Sequence, residues 1–454
     1  MDADATRCSG PGEVGPIERV RGKVPGTSVQ FEDEVPQYDL AVFGGGVSAL
    51  WLTRFAAQRN LRVCIMVEGV LGGYASSGNQ GWLHSGALYA AYGSSALVGP
   101  CRDGMRDIGK LAAEHMRSFT SADNASLYGV GSVEERNEVL RRLVRAGVSA
   151  DPVPSGAAER LSPLADGRRH YVISSDAPID TVAVLNALWT DARRRGADFV
   201  DLVDLAETSC LRAAGGWSIT VASGQRLQAR AVVLALGGAT PEFAARMGYS
   251  AVPAVVRTVS RVLVVHIPVP PVIVVSLRRV GPHAVPVLTH GTSPRFTVCL
   301  PFDNDRTPTG YLPVEVADVT KMLAHCPELL QPLRTLLQRQ GSDGVPLGLY
   351  SCEKVQGAED KPGTPASRAA RIHELASDCL CLYAGKFTTA SLAAKACLEQ
   401  LIRGGLVPQV TLSAPTEAPS PPMRRVNIAP RDALAAAEFV LRSRNERLTV
   451  EAIG

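Results

Sequence analysis

The chain has 454 residues, of which 46% are hydrophobic and 20% charged, and its formal net charge is +3. These values are typical of a globular enzyme with a sizeable core, and the absence of a basic run argues against a nucleic-acid partner. No stretch reaches the roughly 18–20 apolar residues of a membrane helix, and the ten cysteines form no C-x-x-C pattern. We therefore expect no transmembrane segment, no metal site, reduced thiols and a cytoplasmic protein. Residues 1–36 lack the apolar core of a secretory signal and are expected to be a disordered leader.

The first predicted element is a strand, turn and helix over residues 38–59. Residues 38–43 form an apolar run typical of a buried parallel strand, and a helix is expected from Leu50 to Arg59. The turn between them has the pattern G-x-G-x-x-A. Its glycines permit a tight bend and a close approach to a pyrophosphate, which the helix N-terminus would bind. The turn residues are Gly44, Gly45, Gly46, Val47, Ser48 and Ala49.

A second predicted strand, residues 62–67, ends at Glu68. A carboxylate about 20 residues beyond the first glycine can accept hydrogen bonds from the adenosine ribose hydroxyls. Strand, glycines, helix, strand and acid together predict a dinucleotide site, but they do not separate NAD from FAD.

The loop after Glu68 is long and rich in small polar residues, which suits a chain that runs beside a second phosphate and under a flat ring system. Within it, Asn79, Gly81, His84 and Gly86 fit the pattern N-x-G-x-x-H-x-G. This segment resembles the corresponding loop of the FAD-dependent D-amino-acid-oxidase-like superfamily. The nearest branch is similar to glycerol-3-phosphate dehydrogenase and L-2-hydroxyglutarate oxidase. The cofactor-binding residues expected in the loop are Gly72, Gly73, Ser76, Ser77, Asn79, Gln80, Gly81 and Leu83.

The resemblance implies an α/β fold, with a three-layer Rossmann-like FAD-binding domain and an inserted substrate domain of antiparallel sheet plus helices. The expected FAD-binding segments are 37–155, 176–250 and 351–410, and the expected substrate-domain segments are 156–175 and 251–350. Residues 411–454 are expected to form a linker and a C-terminal helix.

Between these segments the chain shows further periodic patterns. Helices are expected over residues 97–119 after Pro100, over 133–146 and before Gly196. The segment Cys101–Gly104 has a C-x-x-G pattern that also resembles the hydroxyglutarate-oxidase branch. Residues 217–221 and 226–230 predict a hairpin. Residues 231–238 predict a separate buried strand that ends in Gly237 and Gly238, and this end resembles the superfamily's second FAD signature.

Residues 250–350 are expected to form the substrate domain. Strands are predicted over residues 259–266, 271–277 and 296–300, and helices over 314–325 and 329–337, with Pro327 ending the first helix. A guanidinium is the usual clamp for a substrate carboxylate or phosphate. The candidate arginines, among which the sequence does not choose, are Arg257, Arg261, Arg278, Arg279, Arg295 and Arg306.

A last informative stretch runs from Cys381 to Leu401. A strand, a glycine turn and a helix beginning at two threonines would direct N–H groups at a flavin, whose reduction leaves negative charge near N1. The stretch is similar to the G-G-K-L-T-T segment of glycerol-3-phosphate dehydrogenases. The cofactor residues expected here are Gly385, Lys386, Phe387 and Thr388.

These patterns predict an FAD-dependent dehydrogenase or oxidase that takes a hydride from a CH–OH or CH–NH carbon of a small polar substrate. The hydroxyl-bearing substrates considered are hydroxy acids and polyol phosphates. A silent flavin-fold scaffold and a flavin monooxygenase are the alternatives. His84 is the candidate catalytic residue, with three open roles: general base, covalent flavin tether, or a hydrogen-bonding residue of its loop. The electron acceptor, whether oxygen, a quinone or a carrier protein, and the oligomeric state stay open.

Overall fold

The computed structural model describes residues 35–73, 75–120, 125–154, 156–252, 255–270, 272–277, 285–290, 295–299, 310–311, 320, 323–324, 326–341, 344–357, 370–408, 447–448 and 450. The predicted leader up to residue 34, the predicted linker and C-terminal helix up to residue 446, and most of the predicted helix 314–325 lie outside these residues. The described residues from Pro36 onward belong to one compact unit, Pro36–Gly454.

The strands are, in chain order, β1 Gln37–Phe43, β2 Val63–Val67, β3 Trp82–Leu83, β4 Ala125–Val130, β5 Ala150–Pro152, β6 His170–Ser174, β7 Ala177–Pro178, β8 Asp198–Asp201, β9 Ser209–Ala213, β10 Gly216–Thr220, β11 Arg226–Leu234, β12 Val255–Val265, β13 Val272–Ser276, β14 Val285–His290, β15 Arg295–Cys299, β16 Gly310–Tyr311, β17 Val345–Gly357, β18 Arg371–Ala376, β19 Cys379–Tyr383 and β20 Arg447–Leu448. The helices are α1 Val47–Gln58, α2 Ala87–Ala91, α3 Val98–Glu114, α4 Val133–Arg145, α5 Ala157–Leu161, α6 Thr181–Arg194, α7 Thr240–Arg246, α8 Pro327–Gln340 and α9 Ala390–Arg403.

The first sheet follows the order β18–β19–β11–β1–β2–β8. Its central strands β19, β11, β1, β2 and β8 are parallel to their neighbours along this path, while β18 joins antiparallel and β9 and β10 extend β11 as an antiparallel meander. Strand β1 lies between β2 and β11, so the strand order reverses at β1. In such doubly wound sheets ligands bind beyond the carboxyl ends of the strands, at this point of reversal.

Both faces of the first sheet are covered. Along β1, Leu40 and Val42 face the core that contains α1, α6 and α9. Ala41 and Phe43 face a second core, to which Trp217 of β10 belongs. Successive strand residues point to opposite faces, so an uninterrupted apolar run is required when both faces are buried. The three-layer arrangement that the sequence predicts is therefore present.

The second sheet follows the order β16–β17–β12–β15–β14–β13–β4–β6–β5 among the described residues, with β20 beside β17. Most of its pairs are antiparallel, and β13 pairs in parallel with β4. Helix α8 packs on it through Leu329, Leu333 and Leu337. Strands β4 and β5 come from the predicted FAD-binding segment 37–155, yet both pair with β6 in the second sheet. Strand β17 crosses the predicted domain boundary at residue 350.

Several predicted elements have different bounds. Helix α1 begins at Val47 rather than Leu50, because Gly46 already occupies the extended N-cap position. The predicted hairpin arm 226–230 and the predicted strand 231–238 are one strand, β11, whose burial changes midway from alternating to continuous. Pro327 begins α8 instead of only ending a preceding helix, since proline is well tolerated in a first helical turn. None of the helices in the described part of the chain is long and apolar enough to cross a membrane.

Candidate active site

Three glycine turns and one acid follow the carboxyl ends of neighbouring parallel strands. Gly44 follows β1, Glu68 follows β2, Gly237 follows β11 and Gly385 follows β19. Because these strands are adjacent and parallel, the turns lie at the same edge of the first sheet. The sequence motifs, separated by up to about three hundred residues, therefore meet at one place.

The turn after β1 is shaped by its neighbours. Gly44 has a φ of +115°, and a Cβ there would lie 2.4 Å from the Ala235 carbonyl oxygen at the end of β11. A Cβ on Gly46 would lie 3.1 Å from Ser76 Oγ, which accepts a hydrogen bond from the Val47 N–H at 2.9 Å. Gly44 thus lets the end of β11 approach the turn before α1, and Gly46 does the same for the loop after Glu68.

Helix α1 has a glycine at its N-cap position, and its first N–H, that of Val47, donates to Ser76 Oγ. Gly46 makes no side-chain capping bond and the first turn carries no acid. By contrast, α6 on the same sheet face is capped by Asp180, whose Oδ1 accepts from the Ala183 N–H at 2.8 Å. First-turn N–H groups need acceptors, and the helix dipole favours an anion. An uncapped turn at the carboxyl edge of the sheet fits a pyrophosphate.

The loop of residues 71–81 is held mainly by its own hydrogen bonds. The buried Ser77 hydroxyl donates to the Gly72 carbonyl at 2.5 Å. Asn79 donates from Nδ2 to the Ser76 carbonyl at 2.6 Å and accepts from the Gly81 N–H at 2.7 Å. Gly72 also donates its N–H to the Gly45 carbonyl at 2.8 Å, which joins the loop to the turn. Ser77 and Asn79 therefore have internal roles in this structure.

Other predicted cofactor residues have mixed surroundings. Glu68 is half-buried, and its Oε1 accepts from the Leu205 N–H at 2.9 Å. Ala49 and Leu83 are buried in the core beneath the sheet edge, and Phe387 packs against the same core. Gly237 has a φ of +59° and begins a short 3-10 turn with Gly238. The remaining predicted residues, Gly45, Ser48, Gly73 and Gln80, lie in the turn and loop just described.

His84 lies in an aromatic and cationic setting. Its side chain is 7% exposed, and its Nε2 lies 3.3 Å from Lys386 Nζ. Its ring stacks on Trp82 with centroids 4.3 Å apart and lies 5.8 Å from the ring of Tyr89. The His84 N–H donates to Thr388 Oγ1 at 3.2 Å, so the stretch that follows β19 fixes both the backbone and the ring of His84.

Lys386 is the cation of this cluster. Its Nζ lies over the Tyr89 ring, 5.1 Å from the centroid, and no carboxylate among the described residues forms an ion pair with it. Loss of hydration lowers the pKa of Lys386 to about 8. The Tyr89 hydroxyl is buried and has no hydrogen-bond partner within the described part of the chain. The cluster therefore combines an imidazole with a lysine that can change charge near neutral pH.

The helix after Lys386 begins later than the sequence predicts. Thr389, not Thr388, is the N-cap of α9, and its hydroxyl donates to the Ala384 carbonyl at 2.9 Å rather than capping the helix. The first turn of α9 carries no acid. A Cβ on Gly104 of α3 would lie 1.9 Å from the Thr388 carbonyl oxygen, so the C-x-x-G glycine lets α3 pack against this stretch.

A buried carboxyl group, which the sequence reasoning did not single out, lies behind His84. Asp176 is fully buried and accepts four hydrogen bonds from Trp82, Ser85 and Tyr128. Burial raises the pKa of Asp176 against the effect of these donors, and burial also raises the pKa of Tyr128 well above its ordinary value. The one sequence signal was an acid inside an otherwise apolar and small-residue stretch.

Three of the six candidate arginines lie in described strands of the second sheet. The backbones of Arg257 and Arg261 lie in β12 and that of Arg295 lies in β15. Arg278, Arg279 and Arg306 lie outside the described residues. The described residues also contain no group of three or more His, Cys, Asp or Glu side chains that could hold a metal ion.

Comparison with known proteins gives a consistent result. A model of the family described as FAD dependent oxidoreductase (DAO) matches residues 39–351. Glycine oxidase of Geobacillus kaustophilus (strain HTA426) is 27% identical over 231 residues, which cover 47% of this chain. That match spans 58% of the relative, less than two thirds of its length.

Solved structures share the fold at low sequence identity. Glycine oxidase from Geobacillus kaustophilus superposes with a TM-score of 0.62 at 18% identity, covering 86% of this chain and 100% of that one. L-proline dehydrogenase from P. horikoshii gives 0.61 at 14%, covering 83% and 96%. L-alpha-glycerophosphate oxidase from Mycoplasma pneumoniae with FAD bound gives 0.61 at 14%, covering 81% and 95%. This likeness confirms the predicted fold class, and it does not separate the branch that the sequence resembles from the others.

Proposed function

The chain belongs to the family of FAD-dependent oxidoreductases whose model matches residues 39–351, and from that premise we propose that it oxidises a hydroxyl-bearing carbon of a small anionic substrate. The substrate class is a 2-hydroxy acid or a polyol phosphate, and His84 is the group that takes the hydroxyl proton. The observation that carries the proposal is the 3.3 Å contact between His84 Nε2 and Lys386 Nζ at the carboxyl edge of the sheet.

We place the pyrophosphate of FAD at the turn Gly44–Ala49 and the adenosine ribose at Glu68. The N-terminus of α1, which has a glycine N-cap and no acid in its first turn, supports the first assignment. The second assignment uses Glu68 Oε2, because Oε1 already accepts from the Leu205 N–H. The loop of residues 71–81 and the turn at Gly237 would line the dinucleotide, and residues 385–388 with the N-terminus of α9 would face the flavin. When bound, FAD supplies the hydride acceptor of the reaction.

A base is needed for a hydroxyl substrate. The pKa of an alcohol lies far above neutral pH, so a side chain must accept the hydroxyl proton as the C–H bond breaks. Imidazole titrates near neutral pH and can accept it through Nε2. Lys386 Nζ lies 3.3 Å from this nitrogen, so the charge of Lys386 affects how readily Nε2 accepts a proton.

The same pair can help hold an anionic substrate. A half-buried ammonium without an ion-pair partner among the described residues attracts a carboxylate or phosphate, and the helix dipole of α9 has the same sign at its N-terminus. Both candidate substrates carry such an anion beside or near the reacting carbon. This supports 2-hydroxy acids and polyol phosphates over neutral alcohols.

The second candidate is oxidation of a CH–NH carbon in an amino acid. The sequence match to glycine oxidase favours it. An amine can lose its proton to water before it binds, so this reaction makes a smaller demand on His84.

The test is anaerobic reduction of the purified holoprotein by three matched sets of compounds: 2-hydroxy acids, polyol phosphates and amino acids. We expect bleaching of the flavin absorbance by a member of the first two sets, with a rate that rises with pH. Bleaching by amino acids alone would establish the second candidate. A purified protein that contains no flavin and gains none when FAD is added would contradict the cofactor assignment and both candidates.

A further inference from the structure

The buried carboxyl group of Asp176 lies directly behind the His84 loop. Its Oδ2 accepts from Trp82 Nε1 at 2.9 Å and from the Tyr128 hydroxyl at 2.5 Å. Its Oδ1 accepts from the Ser85 N–H and the Ser85 hydroxyl, each at 2.5 Å. Asp176 is 0% exposed. Each oxygen of this buried carboxyl group accepts two hydrogen bonds. The positions of the four donor groups are therefore tightly constrained.

Two of these donors cannot reverse their roles. The indole N–H of Trp82 and the backbone N–H of Ser85 only donate, and they meet different oxygens of Asp176. An amide in this position would direct its NH2 group at one of the two, whichever way it turned. The site therefore requires a carboxyl group and not merely a polar side chain of the same shape.

The two obligate donors flank His84 in sequence. The Trp82 ring, held by Asp176, stacks on the His84 ring at 4.3 Å. Ser85, also held by Asp176, fixes the chain on the other side. The orientation of the imidazole toward Lys386 thus depends on a carboxyl group that does not contact either His84 or Lys386 through the hydrogen bonds described.

The same residue ties the His84 loop to the second sheet. Asp176 lies between β6 and β7, and its N–H donates to Ser126 Oγ at 3.2 Å. Ser126 and Tyr128 both belong to β4 of the second sheet. The loop that carries His84 is therefore anchored to the second sheet through one side chain.

We propose that Asp176 is a positioning residue that sets the orientation of the His84 ring through Trp82 and Ser85. This inference rests on the proposed role of His84 for its effect on rate, but its effect on ring orientation stands independently. Asp176 takes no part in proton transfer to or from the substrate.

The experiment compares Asp176→Asn with Tyr128→Phe in the full-length holoprotein. Histidine labelled with ¹³C at Cε1 is followed by NMR, with the His84 resonance assigned from His84→Gln. We expect Asp176→Asn to retain FAD and to shift the His84 resonance. We expect the rate of anaerobic flavin bleaching to fall on the order of 100-fold, as for a small misplacement of a reacting group, with the half-saturating substrate concentration little changed. Tyr128→Phe leaves both obligate donors, Trp82 and Ser85, on Asp176, so its His84 resonance should shift less than that of Asp176→Asn.

Trp82→Phe approaches the same contact from the other side and serves if Asp176→Asn does not fold. It removes the indole donor but leaves an aromatic ring on His84, so we expect a smaller shift of the same resonance. An unchanged His84 resonance in a folded Asp176→Asn or Trp82→Phe protein would overturn the proposal. So would an equal shift in Tyr128→Phe. A shifted resonance with a wild-type bleaching rate would support the positioning role and would instead contradict the role of His84 as base.

Discussion

Lys386 Nζ and His84 Nε2 lie 3.3 Å apart although 302 residues separate them in the chain. His84 directly follows β3, and Lys386 lies in the turn after β19 at the carboxyl edge of the first sheet. The contact brings together the two most informative sequence motifs, and it couples the charges of His84 and Lys386.

The charge of Lys386 should control the pH dependence of the reaction. Its pKa is lowered to about 8 by loss of hydration. Below that pH the ammonium charge, 3.3 Å away, disfavours proton uptake by His84 Nε2, and above it that charge is lost. At saturating substrate, we expect the rate of anaerobic flavin bleaching to rise as the pH increases through about 8. In Lys386→Met this rise should be absent, and in Lys386→Arg, which keeps its charge, the low rate should extend to higher pH. An identical pH profile in all three proteins would contradict this coupling.

Removal of the imidazole should slow reduction without loss of cofactor. General-base catalysis typically contributes about 10²–10⁴-fold, so His84→Ala should bleach slower by about that factor. His115→Ala, at the C-terminus of α3, is the matched control and should keep the wild-type rate. Acid precipitation of the wild-type protein tests the tether, because flavin in the supernatant would exclude a covalent bond. A wild-type rate in His84→Ala would leave the histidine only its role in the loop.

Gly104 should be intolerant of a side chain, whereas Gly109 on the same helix should not. A Cβ on Gly104 would lie 1.9 Å from the Thr388 carbonyl oxygen, and one on Gly109 would meet no atom within 4 Å. We expect Gly104→Ala to lower the free energy of unfolding by about 1–3 kcal/mol and to weaken FAD retention. Gly109→Ala should raise it by about 0.5–1 kcal/mol, since alanine is favoured in a helix interior. Denaturant titrations of both variants measure this, and equal effects would show that α3 does not pack on Thr388 in solution.

Glu68 should act on FAD affinity and on its own loop separately. Glu68→Gln keeps an acceptor for the Leu205 N–H but loses the charge offered to the ribose. Glu68→Ala loses both, and its FAD affinity should fall by about 1–3 kcal/mol. The FAD affinity of Glu68→Gln should lie between that of Glu68→Ala and that of the wild type. Titration of apoprotein with FAD, followed by flavin fluorescence, gives the affinities. Glu207→Ala, an exposed acid nearby, is the control, and a loss there as large as in Glu68→Ala would argue against a specific ribose contact.

Stability should fall at alkaline pH because of buried thiols. Burial raises the pKa of Cys101, Cys379, Cys381 and Cys397 from 9 to about 12. Between these values the unfolded chain releases protons that the folded chain keeps, so the free energy of unfolding decreases as the pH rises above about 9. Lys386 contributes to the pH dependence with the opposite sign, because its pKa is lowered in the folded state. Its single contribution is smaller than that of the four thiols together. Urea unfolding at pH 8 and pH 10 measures the difference, and equal stabilities would show that these thiols are not buried.

The sequence determined the cofactor domain because its signals are local. An apolar run, glycines at fixed spacing and a following acid specify β1, the turn and β2 without reference to distant residues. The same reasoning located the stretch around Lys386, although it placed the start of α9 two residues early and read β11 as two strands. Both errors have one cause: helix ends and strand continuity depend on neighbours such as Ala384 and β10 that the local pattern does not contain.

Only the tertiary structure decided how the motifs meet. The contact of His84 with Lys386, the packing of Gly104 on Thr388 and the anchoring of the His84 loop by Asp176 all join residues far apart in the chain. Pairing partners of this kind follow from strand order, and strand order is set by how apolar faces are buried across the whole sheet. A single buried acid such as Asp176 carries no periodic signal of its own, so its place behind His84 could be known only once the two sheets were assembled.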